Sequence, residues 1–244
     1  MKAYTVTDVG KVRSENQDCV RFFQNTLPRF DVLVLCDGMG GARAGSVASG
    51  IALDSFITKI TERLSDKKDK SPLPEKLRNA AEYSNSVVYE RAGLEAAYEG
   101  MGTTLVAVVF KGKECSVINV GDSRAYIISA GQISQITRDH SFVEDMVSRG
   151  SITREQARTH PRRNIITRAL GVESKVECDV FTPEIKKNDI LLLCSDGLSN
   201  TITDSELLAA VVGGKKLEDI GQGLLELALS RGAPDNVTLG LLQK

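Results

Sequence analysis

Apolar residues recur with a helical period in two long stretches of the first half of the chain. From about Ala44 to Leu64 the spacing is near 3.6 residues, which predicts a helix with one buried face. A second helical pattern starts at Pro74, a residue that suits the first turn of a helix because its missing N–H is not needed there. The charged run from Ser65 to Pro74 contains two prolines and predicts an exposed connection between the helices.

Most other apolar residues fall in short runs that are typical of strands. We predict strands at Asp31–Cys36, Thr104–Phe110, Cys115–Val120, Ala125–Ile128, Ile190–Cys194 and Val237–Leu242, and further helices at Ser141–Gly150, Thr153–Arg158, Ser205–Val212 and Leu217–Ser230. The strands cluster along the chain instead of alternating with helices, which favours an α+β fold of two antiparallel sheets with helices outside. Gly121-Asp122 lies between two predicted strands and is interpreted as a tight hairpin turn.

Length and composition narrow the class of protein. A chain of 244 residues fits one domain, 1–244, whose core needs no disulfides. Its 31 basic and 32 acidic side chains nearly balance, so charge marks no surface for nucleic acid or membrane. No segment reaches the roughly 20 apolar residues of a spanning helix, and the first residues lack a signal peptide. The five cysteines are widely spaced, which indicates free thiols and a cytoplasmic protein.

Aspartates stand at the ends of several predicted strands. Asp37, Asp122 and Asp196 follow apolar runs, Asp235 precedes the last strand, and Asp18 lies in a polar run near the start. Each could simply form a turn, which is a usual role of aspartate beside glycine. Carboxylates without histidine or cysteine partners are also the oxygen ligands that magnesium and manganese prefer. Such a cluster would repel itself unless cations neutralised it.

Arg13 precedes Asp18 by five residues and is a candidate for binding an anion beside such a site. Its planar guanidinium can donate two parallel hydrogen bonds to a phosphate, which lysine cannot. The alternative is an ordinary exposed charge near the N-terminus.

Spacing argues against several other enzyme classes. No arginine stands six residues after any cysteine, so the Cys-x5-Arg site of cysteine phosphatases is missing. The run GMGGARAG has Arg43 where a dinucleotide fingerprint needs its third glycine, and no Walker A lysine follows. The serine-hydrolase motif G-x-S-x-G is also missing. The two histidines, His140 and His160, are too few for a histidine-rich metal site, and we expect His140 at the surface.

Eight short motifs follow one another along the chain. No single motif is specific, but the eight in this order are. They are RSENQD (13–18), DGMGG (37–41), MGTT (101–104), GDSRAY (121–126), DHS (139–141), TRALG (167–171), SDGL (195–198) and DNVT (235–238). Together they resemble the protein phosphatase 2C family, also called the PPM family, over essentially the whole chain. The chain is most similar in form to bacterial members.

The resemblance implies a metal-dependent phosphatase that acts on phosphoserine and phosphothreonine in proteins. Its implied fold is a four-layer αββα sandwich, with two antiparallel sheets face to face and helices on both outer sides. Asp37 would bridge two Mn²⁺ or Mg²⁺ ions, and the Gly38 carbonyl would bind the second. Asp196 and Asp235 would complete the first ion. Asp122, with Asp196, would hold a third, weaker ion.

The resemblance also implies roles around the metals. Asp18 would hold a water bound to the ions, Arg13 would grip the substrate phosphate, and residues 141–163 would form a flap beside the site. Animal members carry a histidine, proposed as the general acid, at the position of Met39 in this chain. The proton donor is therefore left open between a water on the metals and His140.

The expected partners are phosphorylated proteins and a cognate Ser/Thr kinase, with no nucleic acid and no membrane. The rival hypothesis is a catalytically weak regulatory or binding module of the same fold. Loss of a metal-binding acid would favour that rival, yet Asp37, Asp196 and Asp235 are all present. A regulatory phosphatase with narrow substrates is a second rival, and a nucleotide-binding enzyme is disfavoured by its failed glycine pattern.

Overall fold

Two antiparallel β-sheets form the centre of the computed structural model, which describes residues 1–41, 44–212 and 216–244. The strands are, in chain order, β1 (Lys2–Asp8), β2 (Asp18–Thr26), β3 (Arg29–Met39), β4 (Gly102–Thr103), β5 (Leu105–Lys111), β6 (Glu114–Val120), β7 (Arg124–Ser129), β8 (Gln132–Gln135), β9 (Asp179–Phe181), β10 (Ile190–Cys194) and β11 (Val237–Gln243). The helices are α1 (Ala44–Ser65), α2 (Leu73–Leu94), α3 (Phe142–Ser148), α4 (Arg154–Thr159), α5 (Asp196–Ser199), α6 (Asp204–Val211) and α7 (Leu217–Ser230), and a short 3₁₀ helix covers Ala96–Tyr98.

Each sheet joins strands from distant parts of the chain. The first sheet has the order β1-β11-β10-β7-β8, and the second has the order β2-β3-β5-β6-β9, with β4 paired to the end of β3. In the second sheet, Asp18 of β2 lies opposite Asp37 of β3. In the first sheet, β10 and β11 pair from Ile190 opposite Gln243 to Cys194 opposite Leu239.

Alternation of side chains along the strands separates three apolar layers. In β3, Leu33 and Leu35 pack between the two sheets, whereas Val32 and Val34 pack against α1 and α2. The other sheet alternates in the same way, and its outward-facing residues pack against α5, α6 and α7. The order of layers is therefore helices, sheet, sheet, helices, which confirms the α+β sandwich that the sequence predicted.

The predicted strands and helices are present, with ends that shift by a few residues. The prediction missed five strands. β1, β2, β8 and β9 are the edge strands of the two sheets, and β4 has only two residues. Edge strands are half exposed and mix polar with apolar residues, as the nine residues of β2 do, so they lack the continuous apolar pattern of an inner strand.

The interpretation of Gly121-Asp122 as a hairpin turn is wrong. β6 belongs to the second sheet and β7 to the first, so this connection crosses from one sheet to the other. Gly121 has a φ of 105°, and a Cβ atom there would lie 2.6 Å from Thr104 Cγ2. Glycine allows the chain to leave one sheet in close contact with Thr104 and to enter the other.

The connection between α1 and α2 is exposed along most of its length, as predicted, but a buried ion cluster orders it. Lys76 is 2% exposed, and its Nζ lies 2.6 Å from Asp69 Oδ2. Arg63 Nε lies 2.9 Å from the same carboxylate oxygen. The ion pairs of Asp69 with Arg63 of α1 and with Lys76 of α2 therefore hold the loop against both helices.

All five cysteines are free thiols, as expected. No helix in the described part of the chain combines the length and apolar character that crossing a membrane requires. The assignment of residues 1–244 to one domain stays a prediction.

Candidate active site

The predicted acidic residues meet at one end of the sandwich. Asp37 lies near the end of β3, Asp18 lies opposite it on β2, and Asp122 follows β6. From the other sheet, Asp196 follows β10 and Asp235 precedes β11. A cavity of about 220 Å³ opens here, which we call the acidic pocket. It is lined by Arg13, Gln17, Asp37, Gly38, Met39, Gly40, Thr104, Asp122, Asn164, Ile166, Asp196, Asp235 and Asn236.

The backbone of Asp37 is fixed by Thr104, which lies between β4 and β5. The Asp37 N–H donates to Thr104 Oγ1 at 2.9 Å, and the Thr104 N–H donates to the Asp37 carbonyl at 2.8 Å. Thr104 Oγ1 also shares a hydrogen bond of 2.7 Å with Ser123 Oγ, beside Asp122. Hydrogen bonds therefore connect Asp37 to the residue that follows Asp122. Thr104 and Ser123 belong to motifs of the sequence, but the motifs alone predicted no role for them.

Gly38 occupies a place that no other residue would fit. A Cβ atom there would lie 2.1 Å from the Gly45 carbonyl oxygen and 2.7 Å from the Gln17 carbonyl oxygen. The Gly38 N–H donates to that Gln17 carbonyl at 3.0 Å. The chain after Asp37 therefore runs between the start of α1 and the N-terminal loop, at the edge of the pocket.

Asp18 is a buried acid that connects the two sheets. Ser195 Oγ, at the end of β10, donates to Asp18 Oδ2 at 2.8 Å, and the Thr238 N–H donates to the same Ser195 oxygen at 3.1 Å. Asp18 Oδ1 is buried and has no hydrogen-bond partner in the described structure. An unpaired buried carboxylate oxygen is costly, so this atom indicates a missing positive or hydrogen-bonding partner.

Asn236 joins the N-terminal loop to the strand that follows Asp235. Its Nδ2 donates to the carbonyls of Val9 and Glu15 at 2.9 and 3.0 Å, and its Oδ1 accepts from the Gln17 N–H at 2.9 Å. Its own N–H donates to Asp235 Oδ1 at 2.9 Å. The sequence analysis missed this role, although the DNVT motif contains the residue.

Arg13 lies at the mouth of the pocket and contacts an acid there. Its Nη2 donates to Asp235 Oδ2 at 2.9 Å, and the Arg13 side chain is 55% exposed. The hydrogen bond and charge of Asp235, with smaller contributions from Asp196 and Asp37, raise the pKa of Arg13. The guanidinium therefore faces the acid cluster while keeping access to solvent.

The carboxylates of the pocket destabilise one another's charged forms. Burial, followed by the charges of Asp18 and Asp196, raises the pKa of Asp37 well above its ordinary value. Burial and then Asp235 raise the pKa of Asp196 to about 6. The donor set consists of oxygen atoms, which suits Mg²⁺ or Mn²⁺. Within the described ranges, no group of three or more His, Cys, Asp or Glu side chains is placed so that it could by itself hold a metal ion.

Asp122 lines a second cavity as well as the acidic pocket. This cavity has a volume of about 180 Å³ and extends from Asp122 and Asp196 to α3 and α4, with Arg154 and Arg158 on its wall. Burial and then the charge of Asp196 raise the pKa of Asp122 well above its ordinary value. The segment 141–163 therefore borders the two acids, and its designation as a flap stays a prediction.

His140 is buried, so its predicted surface position is wrong. The ring Nδ1 accepts from the Gly121 N–H at 3.1 Å, and the His140 N–H donates to the Gly121 carbonyl at 2.9 Å. Its Nε2 lies 3.2 Å from Asp179 Oδ2 and 3.2 Å from Arg168 Nη1. Burial is the main cause that lowers the pKa of His140. The neutral ring holds the crossover before Asp122 and is not among the residues that line the acidic pocket.

Comparison with known proteins agrees with this geometry. A family model described as "Protein phosphatase 2C" matches residues 11–215. The serine/threonine phosphatase stp of Listeria welshimeri is 37% identical over 246 residues, which cover 100% of this chain and 96% of that protein.

Two solved structures show the same fold. A bacterial serine phosphatase has a TM-score of 0.89 at 42% identity and covers 99% of this chain and 96% of that one. The catalytic domain of the serine/threonine protein phosphatase PstP, solved in complex with two manganese ions, has a TM-score of 0.81 at 35% identity and covers 98% and 96% of the two chains.

The lowered pKa of His140 predicts how the stability of this chain depends on pH. His140→Gln can keep an acceptor for the Gly121 N–H but does not titrate, so it serves as the matched reference. Below about pH 6.5 the unfolded wild type takes up a proton that the folded state resists, which lowers its free energy of unfolding. Urea unfolding between pH 8 and 5 should show the wild type losing stability relative to the variant as the pH falls below about 6.5. Parallel stability curves over the whole range would contradict the assignment.

Proposed function

The chain belongs to the protein phosphatase 2C family, and from this premise we propose that its acidic pocket is the place where it removes phosphate from other proteins. It is a serine/threonine protein phosphatase. The observation that carries the proposal is the meeting of four aspartates with Arg13 in one cavity at the ends of both sheets.

The oxygen donors of the pocket are of the kind that divalent cations prefer, and the pocket would hold two of them, Mn²⁺ or Mg²⁺. Asp37 would span the two ions, the Gly38 carbonyl would bind one of them, and Asp196 and Asp235 would bind the other. Bound cations would activate a water at neutral pH and offset the charge of the phosphate. The unpaired Asp18 Oδ1 and the raised pKa of Asp37 support this assignment, because both indicate negative charge that lacks a partner.

Arg13 would bind the phosphate of the substrate. Its guanidinium is directed at the pocket by Asp235, with which it forms an ion pair at 2.9 Å. When Asp235 binds a cation, Arg13 would exchange this carboxylate for the oxygens of the phosphate, whose fork geometry it matches. The ion pair would therefore hold the orientation of Arg13 until Asp235 binds a cation.

The leaving group of the substrate needs a proton that Met39 cannot supply. His140 lies outside the lining of the pocket and uses both ring nitrogens for contacts within the protein. We therefore assign the proton to water and not to a side chain at position 39 or 140. Asp18 would orient water through its unpaired oxygen.

The chemistry of the substrate also indicates the partners. A phosphorylated serine or threonine must first be made by a Ser/Thr protein kinase, so such a kinase is the proposed counterpart. The free cysteines support a reducing compartment, the cytoplasm. A third, weaker cation between Asp122 and Asp196 is part of the proposal, because these two acids line both cavities.

Hydrolysis of a phosphothreonine peptide should need added Mn²⁺ or Mg²⁺ and should stop with EDTA, because every proposed ligand is an oxygen. Phosphate release measures this directly. Asp196→Asn should abolish most of the activity at saturating metal, whereas Asp54→Asn should not, since Asp54 is 65% exposed and pairs with Arg21. Undiminished activity after exhaustive chelation would refute the metal assignment. No turnover with either metal would favour a binding module of the same fold.

Arg13→Ala should weaken the binding of the phosphopeptide by roughly tenfold in KM, the lower end for a hydrogen bond to a charged group at an exposed site. Arg13→Lys should restore only part of the loss, because lysine lacks the planar fork. The matched control is Arg21→Ala, whose side chain is 52% exposed and also pairs with an aspartate. Equal kinetics of Arg13→Ala and Arg21→Ala would show that Arg13 is an ordinary surface charge with no part in binding phosphate.

Asp122→Asn separates a metal ligand from a residue that only shapes the crossover. Asparagine can keep local hydrogen bonds but lacks the charge, so a metal ligand would lose about tenfold or more in turnover. The melting temperature should stay the same or rise, because the substitution removes a partly buried negative charge that Asp196 repels. Asp196→Asn should reduce turnover further. A melting temperature that falls in proportion to activity would indicate a structural role.

A further inference from the structure

An apolar groove opens beside the acidic pocket and shares a wall with it. The groove has a volume of about 660 Å³ and runs along the segment that follows the predicted flap. Met39 and Ile166 line both cavities. We call it the Met39 groove and define it by its apolar residues Met39, Ile166, Ala169, Val172 and Val176. None of these residues has a part in the proposed chemistry.

Two apolar side chains of the groove lie close to Gly102. Met39 of β3 lies opposite Gly102 of β4 in the strand register. A Cβ atom at Gly102 would lie 2.8 Å from Val172 Cγ2 and 3.6 Å from Met39 Cγ. The missing side chain at Gly102 therefore leaves room for both Met39 and Val172 on this wall of the groove.

A buried asparagine fixes the wall of the groove. Asn85 of α2 is 1% exposed; its Oδ1 accepts from the Gly171 N–H at 2.8 Å, and its Nδ2 donates to the Glu173 carbonyl at 2.9 Å. These two bonds hold the backbone on both sides of Val172. Gly171 has a φ of 86°, a left-handed conformation that favours glycine and turns the chain at this point. Val172 is thus 49% exposed on a wall that is already ordered.

The charged residues at the rim of the groove largely neutralise one another. Arg168 forms ion pairs with Glu177 at 3.3 Å and with Asp179 at 3.1 Å. Lys175 and Glu173, also at the rim, carry opposite charges. The groove therefore presents an apolar floor without a strong excess of either charge, which suits an uncharged occupant.

We propose that the Met39 groove binds an apolar side chain of the substrate protein, next to the phosphorylated residue. This inference rests on the proposed phosphatase function of the acidic pocket. An extended peptide rises about 3.3 Å per residue and directs successive side chains to opposite sides. With the phosphate in the pocket, a flanking side chain reaches a groove that begins at the far side of Met39 and Ile166.

The test compares phosphothreonine peptides that differ at one flanking position, with leucine, glycine or aspartate there, scanned over two residues on each side. The ratio of kcat/KM for the leucine and glycine peptides is the readout, because the two peptides differ only by an uncharged apolar side chain and the ratio does not depend on the fraction of active enzyme. The wild type should prefer leucine by roughly tenfold at one position or more, the lower end for one added group in an apolar pocket.

Val172→Asp should bring this ratio close to one, and Val172→Ser should reduce it partly. The matched control is Leu94→Asp, because Leu94 is also an exposed apolar residue, 72% exposed, but lies at the end of α2 outside the groove. The control should keep the wild-type ratio. Melting temperatures and hydrolysis of p-nitrophenyl phosphate show for each variant that the fold and the reaction are preserved.

A wild-type ratio near one at all four positions would overturn the proposal and leave the phosphatase function intact, as would an unchanged ratio in both Val172 variants. A different result would refute the proposed function itself: neither the peptides nor p-nitrophenyl phosphate would be hydrolysed with Mn²⁺ or Mg²⁺ present. That result would also refute the groove proposal, which rests on this function.

Discussion

Repulsion among buried carboxylates is the constraint on which this end of the molecule depends. Asp18 and Asp37 lie opposite each other on paired strands, where like charges weaken a sheet, and Asp196 approaches from the other sheet. Burial and mutual charge raise the pKa of Asp37 and bring that of Asp196 to about 6. The pairing of β2 with β3 continues over the whole length of β2, so the sheet holds these charges together. The fold thereby concentrates negative charge at this end of the molecule, and this charge attracts cations.

Neutral hydrogen-bond donors position these acids without cancelling their charge. Thr104 fixes the backbone of Asp37, Ser195 donates to Asp18, and Asn236 connects Asp235 to the N-terminal loop. A lysine or arginine in these places would satisfy the carboxylates and compete with a metal. Hydroxyl and amide groups instead orient these carboxylates and leave the negative charge available. Arg13 is the exception, and it lies at the solvent side, where a phosphate can displace its acid.

The acids and the inner strands could be predicted from the sequence because each leaves a local signal. Asp37 and Asp196 follow buried apolar runs, and those runs are strands of the core. The assignment of strands to sheets leaves no such local signal. The apolar run before Asp122 predicts a strand, but it does not show that the next strand belongs to the other sheet. His140 was misjudged for the same reason, since its partners Gly121 and Asp179 are 19 and 39 residues away and become neighbours only after folding.

The position of Met39 connects chemistry with recognition. A phosphate group is the same in every substrate, so a pocket of carboxylates and one guanidinium cannot distinguish one phosphoprotein from another. Discrimination must come from surfaces that touch the flanking residues, and one surface that adjoins the pocket begins at Met39. If water supplies the proton of the leaving group, the lack of a proton donor at Met39 does not impair the reaction. The apolar sulfur and carbon atoms of Met39 extend the wall of the groove toward Val172. In the proposed function, Met39 would serve binding at the position where animal members of the family carry a histidine.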